Sequence, residues 1–321
     1  MTCPFLWSDI PVFGAESTGE AMSEVRDIGR IEESYQVLRF FGDGGFGDLY
    51  VARDRKSGQT VAVKKQKPWR EGPYIQHKQQ GVDLGREGSL MHDLSGIKAI
   101  PRVIGIGTYE NDRCIVMEYI EGRSLRECLT ERVPIKDQGT VASVIGQLCE
   151  ILHEVHESGF VHCDLKPENV IVEPDGRLRL IDMGLSVRAE VPTDSGHGST
   201  GYASAPQLEG SERGLTPHAD IFGLGCMLLE MTVHQLPYGG LNKHVHKGYP
   251  VLPDGLSALI PEAFRDLALQ MVEWEPEARP HDVLEVLDRI RRHLPAPHSP
   301  RPAKPLRPDP TEYYRRSLPR L

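Results

Sequence analysis

The spacing of apolar positions divides this chain into two parts. In the first part, apolar residues occur in short runs separated by polar turns, which is typical of β-strands. The predicted strands cover residues 36–40, 49–53, 60–65, 102–109 and 114–118. One helix is predicted at 82–94, although Gly85 and Gly88 weaken it. We therefore expect a small lobe of five strands and one helix.

In the second part, apolar residues recur every three or four positions, as on one face of a helix. This spacing predicts a long amphipathic helix at 141–155. Residues 218–233 are apolar almost throughout, which predicts a buried helix. Further helices are predicted at 262–272 and 281–292. Residues 294–321 contain eight prolines without an apolar period, so we expect an extended or disordered tail.

These patterns suggest four segments. We expect an N-terminal extension at 1–33, a strand-rich lobe at 34–120, a helix-rich lobe at 121–293 and a basic tail at 294–321. The tail contains six Lys and Arg residues against two acids, so it could contact an acidic surface. A solvated tail is the simpler expectation.

Composition excludes several classes of protein. The chain has 321 residues, of which 26% are charged and 39% hydrophobic, as in ordinary soluble globular proteins. Its net charge of −9 argues against nucleic acid as the main partner. We find no signal peptide and no apolar run of about 18 residues that could span a membrane. The six cysteines form no CxxC pair, which favours reduced thiols in a cytoplasm.

Residues suited to phosphoryl chemistry are concentrated in VHCDLKPENVIVEPDGRLRLIDMG, at 161–184. Asp164, Lys166 and Asn169 lie within six residues of one another. A predicted hairpin follows them and returns the chain, so that Asp182 should approach Asn169. Two carboxylates, an amide and an ammonium can hold a metal-bound polyphosphate and deprotonate a hydroxyl.

A glycine-rich stretch, FGDGGFGDLY at 41–50, joins the first two predicted strands. Gly42, Gly44 and Gly47 allow a backbone to approach phosphates, because no Cβ intervenes. The GxGxxG pattern alone is weak, but a dinucleotide-binding fold would place it between a strand and a helix. Lys64 follows in the next strand, in the sequence VAVK.

Taken in order, these motifs resemble those of eukaryotic-type serine/threonine protein kinases of the bacterial kind. HCDLKPEN and IDMG resemble the catalytic loop and the metal-binding turn of that family. The resemblance covers roughly residues 35–293. It implies an α+β, bilobal fold with a five-stranded antiparallel N-lobe that carries one helix, and a mainly helical C-lobe.

The resemblance also implies catalytic roles. Asp164 would orient the substrate hydroxyl and accept its proton, while Lys166 would neutralise charge on the moving phosphoryl group. Lys64, held by Glu87, would contact the α- and β-phosphates of the nucleotide. The cofactors would be ATP and Mg²⁺, with Mn²⁺ as a substitute. The metal ligands would be Asn169 and Asp182.

The family's adenine site also transfers to this sequence. Ala62 would leave room for the base, Met117 would be the gatekeeper residue, and backbone groups near Glu118 would bind the adenine edge. Ile171 would lie beneath the base. The residues expected at the nucleotide are Gly42, Asp43, Gly44, Gly45, Phe46, Gly47, Leu49, Ala62, Lys64, Met117, Glu118, Ile120 and Ile171.

Three positions depart from the family pattern. Cys163 replaces an arginine that normally binds a phosphate on the activation segment, so we expect activity that does not require phosphorylation of that segment. The segment 203–207 lacks the glutamate that usually pairs with Arg279. A buried arginine needs acceptors, so either other groups bind Arg279 or its site is wetter. Met183 replaces a phenylalanine and is expected to fill the same pocket.

We therefore expect a cytoplasmic enzyme that phosphorylates Ser or Thr of a protein, without a nucleic-acid partner or membrane insertion. Two alternatives stay open. The altered segment 203–207 is compatible with a pseudokinase or scaffold that only binds nucleotide. A small-molecule kinase on the same fold is the second alternative, against which Lys166 and the GSTGY segment argue.

Overall fold

The structure is a computed structural model that describes residues 25–44, 47–67, 84–131, 134–194, 198–239 and 251–316. Within these ranges the chain forms two lobes. The N-terminal lobe contains a large sheet, and the C-terminal lobe is mainly helical. This arrangement confirms the predicted α+β class and its two-lobed organisation.

The N-terminal lobe is built on a six-stranded sheet with the strand order β1-β5-β6-β4-β3-β2. The strands are β1 (Asp27–Arg30), β2 (Tyr35–Gly44), β3 (Gly47–Asp54), β4 (Thr60–Gln66), β5 (Val103–Tyr109) and β6 (Asp112–Glu118). Strands β2 to β6 correspond to the five predicted strands and pair antiparallel. Strand β1 pairs parallel with β5.

The prediction of a five-stranded, wholly antiparallel sheet was therefore wrong by one edge strand. β1 was missed because its sequence, DIGR, has no apolar alternation. Its place depends on β5: a Cβ at Gly107 would lie 2.4 Å from the carbonyl oxygen of Gly29, and one at Gly105 would lie 2.6 Å from Ile28. Two glycines on β5 thus admit a segment that has little strand signal of its own.

The described part of this lobe contains two helices rather than the single one expected, α1 (Ile31–Ser34) and α2 (Leu84–Asp93). The predicted start of the second helix, at residues 82 and 83, lies outside the described residues. Gly88 faces the sheet, and a Cβ there would lie 2.9 Å from Ile106. This glycine lowers helix propensity but allows α2 to pack closely on β5.

The helices of the C-terminal lobe pack around a large apolar core, and a smaller apolar cluster includes Val161, Val187 and Leu215. Its helices are α3 (Leu125–Thr130), α4 (Gln138–Glu157), α5 (Ala205–Glu209), α6 (His218–Val233), α7 (Glu262–Met271), α8 (Val283–Ile290) and α9 (Glu312–Arg316). α6 is buried along nearly its whole length, as its apolar sequence predicts. α4 begins at an aspartate cap, because the carboxylate of Asp137 accepts from the N–H of Thr140.

Five short strands complete the C-terminal lobe. They are β7 (Arg123–Ser124), β8 (Phe160–Val161), β9 (Val170–Val172), β10 (Leu178–Leu180) and β11 (Val187–Arg188). β9 and β10 form the predicted hairpin, and β7 pairs with the other edge of β9. The hairpin returns the chain to its start, where the N–H of Ile181 donates to the carbonyl of Asn169 at 2.9 Å.

Residues 295–311 contain no helix or strand, which agrees with an extended tail, but the segment 294–316 is packed on the C-terminal lobe and not disordered. This segment ends in α9 and buries Leu306, Thr311 and Tyr314 against the C-terminal lobe. Its sequence lacks an apolar period because it is held at separate points by other elements, among them Glu150 of α4. Residues 317–321 lie outside the described part of the chain.

Two further sequence expectations concern cysteines and membrane spans. Five cysteines lie in the described ranges, and each is free and buried, as expected for reduced core residues: Cys114, Cys128, Cys149, Cys163 and Cys226. No helix within the described ranges combines the length and apolarity that crossing a membrane requires.

Candidate active site

A buried ion pair joins β4 to α2. The ammonium of Lys64 lies 2.8 Å from both carboxylate oxygens of Glu87 and 2.8 Å from Oδ1 of Asp182. Burial alone would lower the pKa of Lys64, but the two carboxylates raise it above its ordinary value. Lys64 is therefore cationic at neutral pH and fixed between two carboxylates.

The loop between β8 and β9 carries a second charged group. Oδ2 of Asp164 accepts hydrogen bonds from the ammonium of Lys166 at 2.7 Å and from the amide of Asn169 at 2.9 Å. Its other oxygen, Oδ1, accepts from the hydroxyl of Ser199 at 2.7 Å. Ser199 in turn accepts from Lys166 at 2.7 Å. Ser199 thus contacts both Asp164 and Lys166.

Asp220, near the start of α6, binds the main chain of this loop. Its two oxygens accept the main-chain N–H groups of His162 and Cys163, each at 2.8 Å, and Oδ2 also lies 2.8 Å from Nε2 of His156. Burial by itself would raise the pKa of Asp220, but these donors hold it below its ordinary value. Asp220 is ionised and fixes the backbone that leads into Asp164.

The two lobes enclose a cavity of about 520 Å³. Most of the side chains expected at a nucleotide or metal line it. They are Gly42, Gly47, Leu49, Ala62, Lys64, Glu87, Met117, Glu118, Ile120, Lys166, Asn169, Ile171 and Asp182. Asp164 is almost fully buried and reaches the cavity through its bonds to Lys166 and Asn169.

Not every expected residue can be placed. Gly44 ends β2 and pairs with Gly47 at the start of β3, and Gly47 lines the cavity. Gly45, Phe46 and the side chain of Asp43 lie outside the described residues. A Cβ at Gly47 would lie 2.7 Å from the carbonyl oxygen of Lys65 on β4, so the close approach of β3 to β4 requires glycine here.

The segment after β6 connects the lobes. The N–H of Glu118 donates to the carbonyl of Arg102 at 2.9 Å, so this N–H is already used within the protein. The carboxylate of Glu118 pairs with Arg179 of β10 at 2.9 Å. The side chain of Glu118 therefore ties the connection to the β9–β10 hairpin.

Asp182 and Met183 follow β10 in a strained turn. Asp182 has a φ of +67°, which non-glycine residues rarely adopt, and its Oδ1 accepts from the N–H of Gly184 at 3.3 Å. Met183 is buried among apolar residues of both lobes, including Leu90 of α2 and Phe160. The turn thus directs the carboxylate towards Lys64, while the methionine occupies an apolar pocket.

Arg279 has found other acceptors in place of a glutamate. Its guanidinium donates to the main-chain carbonyls of Glu273, His218 and Trp274 at 2.7, 2.7 and 2.9 Å. The guanidinium also lies 4.9 Å from the ring centre of Phe222. Burial lowers the pKa of Arg279 to about 10, so it remains charged at neutral pH. Of the two alternatives that the sequence left open for Arg279, other acceptors or a wetter site, the structure shows other acceptors.

Cys163 is buried, and burial raises the pKa of its thiol well above the ordinary value. This position therefore supplies no cation next to Asp164. Its main chain has a φ of +67°, and its carbonyl accepts a 2.6 Å hydrogen bond from the amide of Gln207. Gln207 also accepts from the N–H and hydroxyl of Ser204, which caps α5.

Sequence reasoning missed Arg126 on α3. Its guanidinium lines the cavity and contacts Glu168 at 2.8 Å, the hydroxyl of Tyr202 at 2.7 Å, and Glu230. The signal for α3 was present in the chain, because Ser124 and Glu127 have the spacing of a capping box and form one. The partners of Arg126 come from three distant segments and could not be read from that spacing.

The oxygen donors of the cavity fit a magnesium-bound phosphate. Asn169 uses its amide nitrogen to donate to Asp164, which leaves the amide oxygen for a cation. Together with the carboxylate of Asp182 this gives two oxygen ligands, and Mg²⁺ commonly takes its others from water and phosphate. The described residues hold no cluster of three His, Cys, Asp or Glu side chains that could bind a metal without a nucleotide.

Comparison with known proteins identifies the family. A model of the protein kinase domain matches residues 35–289, so this chain belongs to the protein kinase domain family, as its motifs predicted. It is 28% identical over 278 residues to the probable serine/threonine-protein kinase CPE1738 of Clostridium perfringens, covering 83% of this chain and 39% of the relative.

Two other bacterial relatives agree. The chain is 27% identical over 278 residues to the probable serine/threonine-protein kinase PknB of Lactococcus lactis, covering 82% of this chain and 42% of the relative. It is 30% identical over 263 residues to the probable serine/threonine-protein kinase PkwA of Thermomonospora curvata, covering 79% of this chain and 33% of the relative. The aligned region thus spans less than half the length of each of these relatives.

Proposed function

We propose that this protein is an ATP-dependent serine/threonine protein kinase, which transfers the γ-phosphoryl group of Mg·ATP to a protein hydroxyl. The observation that carries the proposal is the gathering of Lys64, Asn169 and Asp182 around one cavity, with Asp164 bonded to Asn169. The printed names of the bacterial relatives support the same activity.

Proton transfer would fall to Asp164. One of its oxygens accepts the hydroxyl of Ser199 at 2.7 Å, so this buried carboxylate can accept a hydrogen bond from an O–H group. A substrate hydroxyl that binds near this carboxylate would be oriented by it and would give up its proton to it. Lys166, 2.7 Å from Asp164, would offset negative charge on the transferred group.

Nucleotide binding would fall to the cavity walls. Lys64 would contact the α- and β-phosphates, and Glu87 keeps it cationic and fixed in direction. Asn169 and Asp182 would hold Mg²⁺, or Mn²⁺ in its place. When bound, the metal neutralises phosphate charge and orients the phosphoryl group. Apolar side chains, among them Ala62 and Ile171, would enclose the base.

Regulation would differ from that of kinases switched on by a phosphate on the activation segment. Cys163 cannot bind a phosphate as the usual arginine does, so activity would not require that modification. A cytoplasmic location remains a prediction from the sequence, supported by the free thiols of the described residues.

Transfer of radiolabelled phosphate from ATP to a generic protein substrate tests the proposal. We expect incorporation on serine or threonine, and a loss of about 100-fold or more in Asp164→Asn, because a general base contributes at least that factor. This substitution is close in shape and keeps the loop packed. Nucleotide binding without transfer in the wild type would indicate a scaffold instead, and transfer only to small molecules would indicate a small-molecule kinase.

A further inference from the structure

The C-terminal segment 301–316, which we call the strap, is attached to α4. The hydroxyls of two consecutive tyrosines, Tyr313 and Tyr314, donate to the two oxygens of Glu150, each at 2.8 Å. One buried carboxylate thus receives two phenols. Tyr314 is fully buried, which makes this pair of contacts the main anchor of the strap.

The strap also touches the elements that form the floor of the cavity. Gln147 of α4 donates to the carbonyl of Pro310 at 3.1 Å and to that of Gly176, in the β9–β10 turn, at 3.1 Å. Its amide oxygen accepts from the N–H of Leu178 at 3.0 Å. One side chain therefore connects the strap to both ends of the hairpin turn.

A second connection reaches β7. The guanidinium of Arg123 donates to the carbonyl of Arg307 at 3.0 Å, and the thiol of Cys128 on α3 donates to the same carbonyl at 3.4 Å. Ser124, next to Arg123 in β7, pairs with Ile171 of β9. Both Ser124 and Ile171 line the cavity.

The fit between the strap and the lobe is close. A Cβ at Gly176 would lie 2.4 Å from the carbonyl oxygen of Asp309, and one at Gly146 would lie 2.8 Å from the hydroxyl oxygen of Tyr314. Two glycines therefore admit the strap, one in the hairpin turn and one on α4. A segment packed this tightly resists displacement of the hairpin.

We propose that the strap is a positioning element for the nucleotide site, and that it acts through β7 and the β9–β10 hairpin. These strands have only two or three residues each, so their own hydrogen bonds hold them weakly. The strap holds these strands on the side away from the cavity. It thereby fixes the positions of Ile171 and Ser124, which would lie beneath the nucleotide. This inference rests on the proposed function for its ligand, ATP.

The full-length double variant Tyr313→Phe with Tyr314→Phe tests the inference, because it removes both hydroxyls and keeps both rings. We expect faster amide hydrogen exchange at residues 122–127 and 170–178. We also expect a dissociation constant for ATP raised by about 3- to 10-fold, since hydrogen bonds to a charged group are lost. The KM for ATP should rise while kcat changes little.

Tyr238→Phe is the matched control. Tyr238 also donates a buried hydrogen bond, to the carbonyl of Val272 at 2.7 Å, and it does not touch the strap. It should lower thermal stability without changing exchange at the hairpin or the affinity for ATP. A double variant that behaves like this control would overturn the inference and leave the strap a purely structural element.

A second variant and a measurement without nucleotide allow the inference to be tested even if the first experiment fails. If the tyrosine double variant does not fold, Arg123→Gln removes the strap contact of β7 from an exposed position and should give the same changes, smaller in size. Hydrogen exchange needs no nucleotide, so it reports on the strap even if the wild type fails to bind ATP. Failure of binding in the wild type would contradict the proposed function and not the strap's contacts.

Discussion

The side-chain amide of Gln207 donates a 2.6 Å hydrogen bond to the main-chain carbonyl of Cys163. The chain departs from the usual pattern of its family at Cys163 and in the segment 203–207, and the structure places these two regions in contact. The bond joins α5, at the end of the activation segment, to the loop that carries Asp164. A hydrogen bond between neutral groups therefore links the activation segment to the loop of Asp164. In relatives with an arginine at the position of Cys163, a charged side chain is available there instead.

An acid at position 207 should destabilise the protein. In Gln207→Glu, the carboxylate has no hydrogen to donate to the carbonyl of Cys163, so two acceptors face each other. We expect a loss of about 1–3 kcal/mol in the free energy of unfolding, measured with urea. Gln138→Glu, the same change at the exposed first residue of α4, should stay within about 0.5 kcal/mol. Equal effects of the two variants would contradict this prediction.

The ion pair between Lys64 and Glu87 should show strong coupling. Lys64→Met leaves the deeply buried carboxylate of Glu87 without its cation, and breaking a buried pair in this way costs about 3–5 kcal/mol. Adding Glu87→Gln removes the uncompensated charge, so the double variant should be more stable than Lys64→Met alone. Urea unfolding of the wild type, the two single variants and the double variant gives the coupling free energy between Lys64 and Glu87. A double variant no more stable than the single one would argue against a buried charge at Glu87.

Asp220 should contribute a pH-dependent part of the stability. Its pKa in the folded protein lies below the ordinary 3.8, so its contribution is fully present above that value. The contribution is lost as the pH falls through the folded-state pKa. The difference in unfolding free energy between wild type and Asp220→Asn should therefore be largest near neutral pH and narrow below about pH 4. Urea unfolding from pH 3 to pH 7 measures it, and a constant difference would contradict the prediction.

Activity should survive loss of two activation-segment hydroxyls, those of Ser195 and Thr200. We expect Ser195→Ala with Thr200→Ala, and phosphatase-treated wild type, to transfer phosphate at close to the untreated rate. Ser195 lies outside the described residues, so this expectation depends on Cys163 alone. Phosphate transfer to a protein substrate is the measurement, and a large loss after phosphatase treatment would count against it.

Ser199 must be kept out of that variant, because its hydroxyl donates to Asp164 and accepts from Lys166. Ser199→Ala should lower kcat by about 10-fold, the value of one or two lost hydrogen bonds. Its effect should persist in dephosphorylated enzyme, which separates a positioning role from a role as phosphate acceptor.

Local spacing was sufficient for much of the fold and most of the site. Asp164, Lys166 and Asn169 lie within six residues, so any compact loop keeps them together, and a hairpin of short apolar strands must return near its start. The strands β2 to β6 were visible because apolar residues occur there in short runs bounded by polar turns. These features depend on residues that are close together in the sequence. They were sufficient to predict the family and the candidate catalytic residues.

Contacts between distant segments, by contrast, were decided only by the tertiary structure. Arg279 is satisfied by three main-chain carbonyls, and the strap is held by a carboxylate and an amide of α4 and by a guanidinium of β7 that donates to a strap carbonyl. A carbonyl is present at every residue and leaves no mark in the sequence, so such partners cannot be predicted from residue types. β1 is a similar case, because two glycines of β5 admit it while its own four residues show no strand pattern.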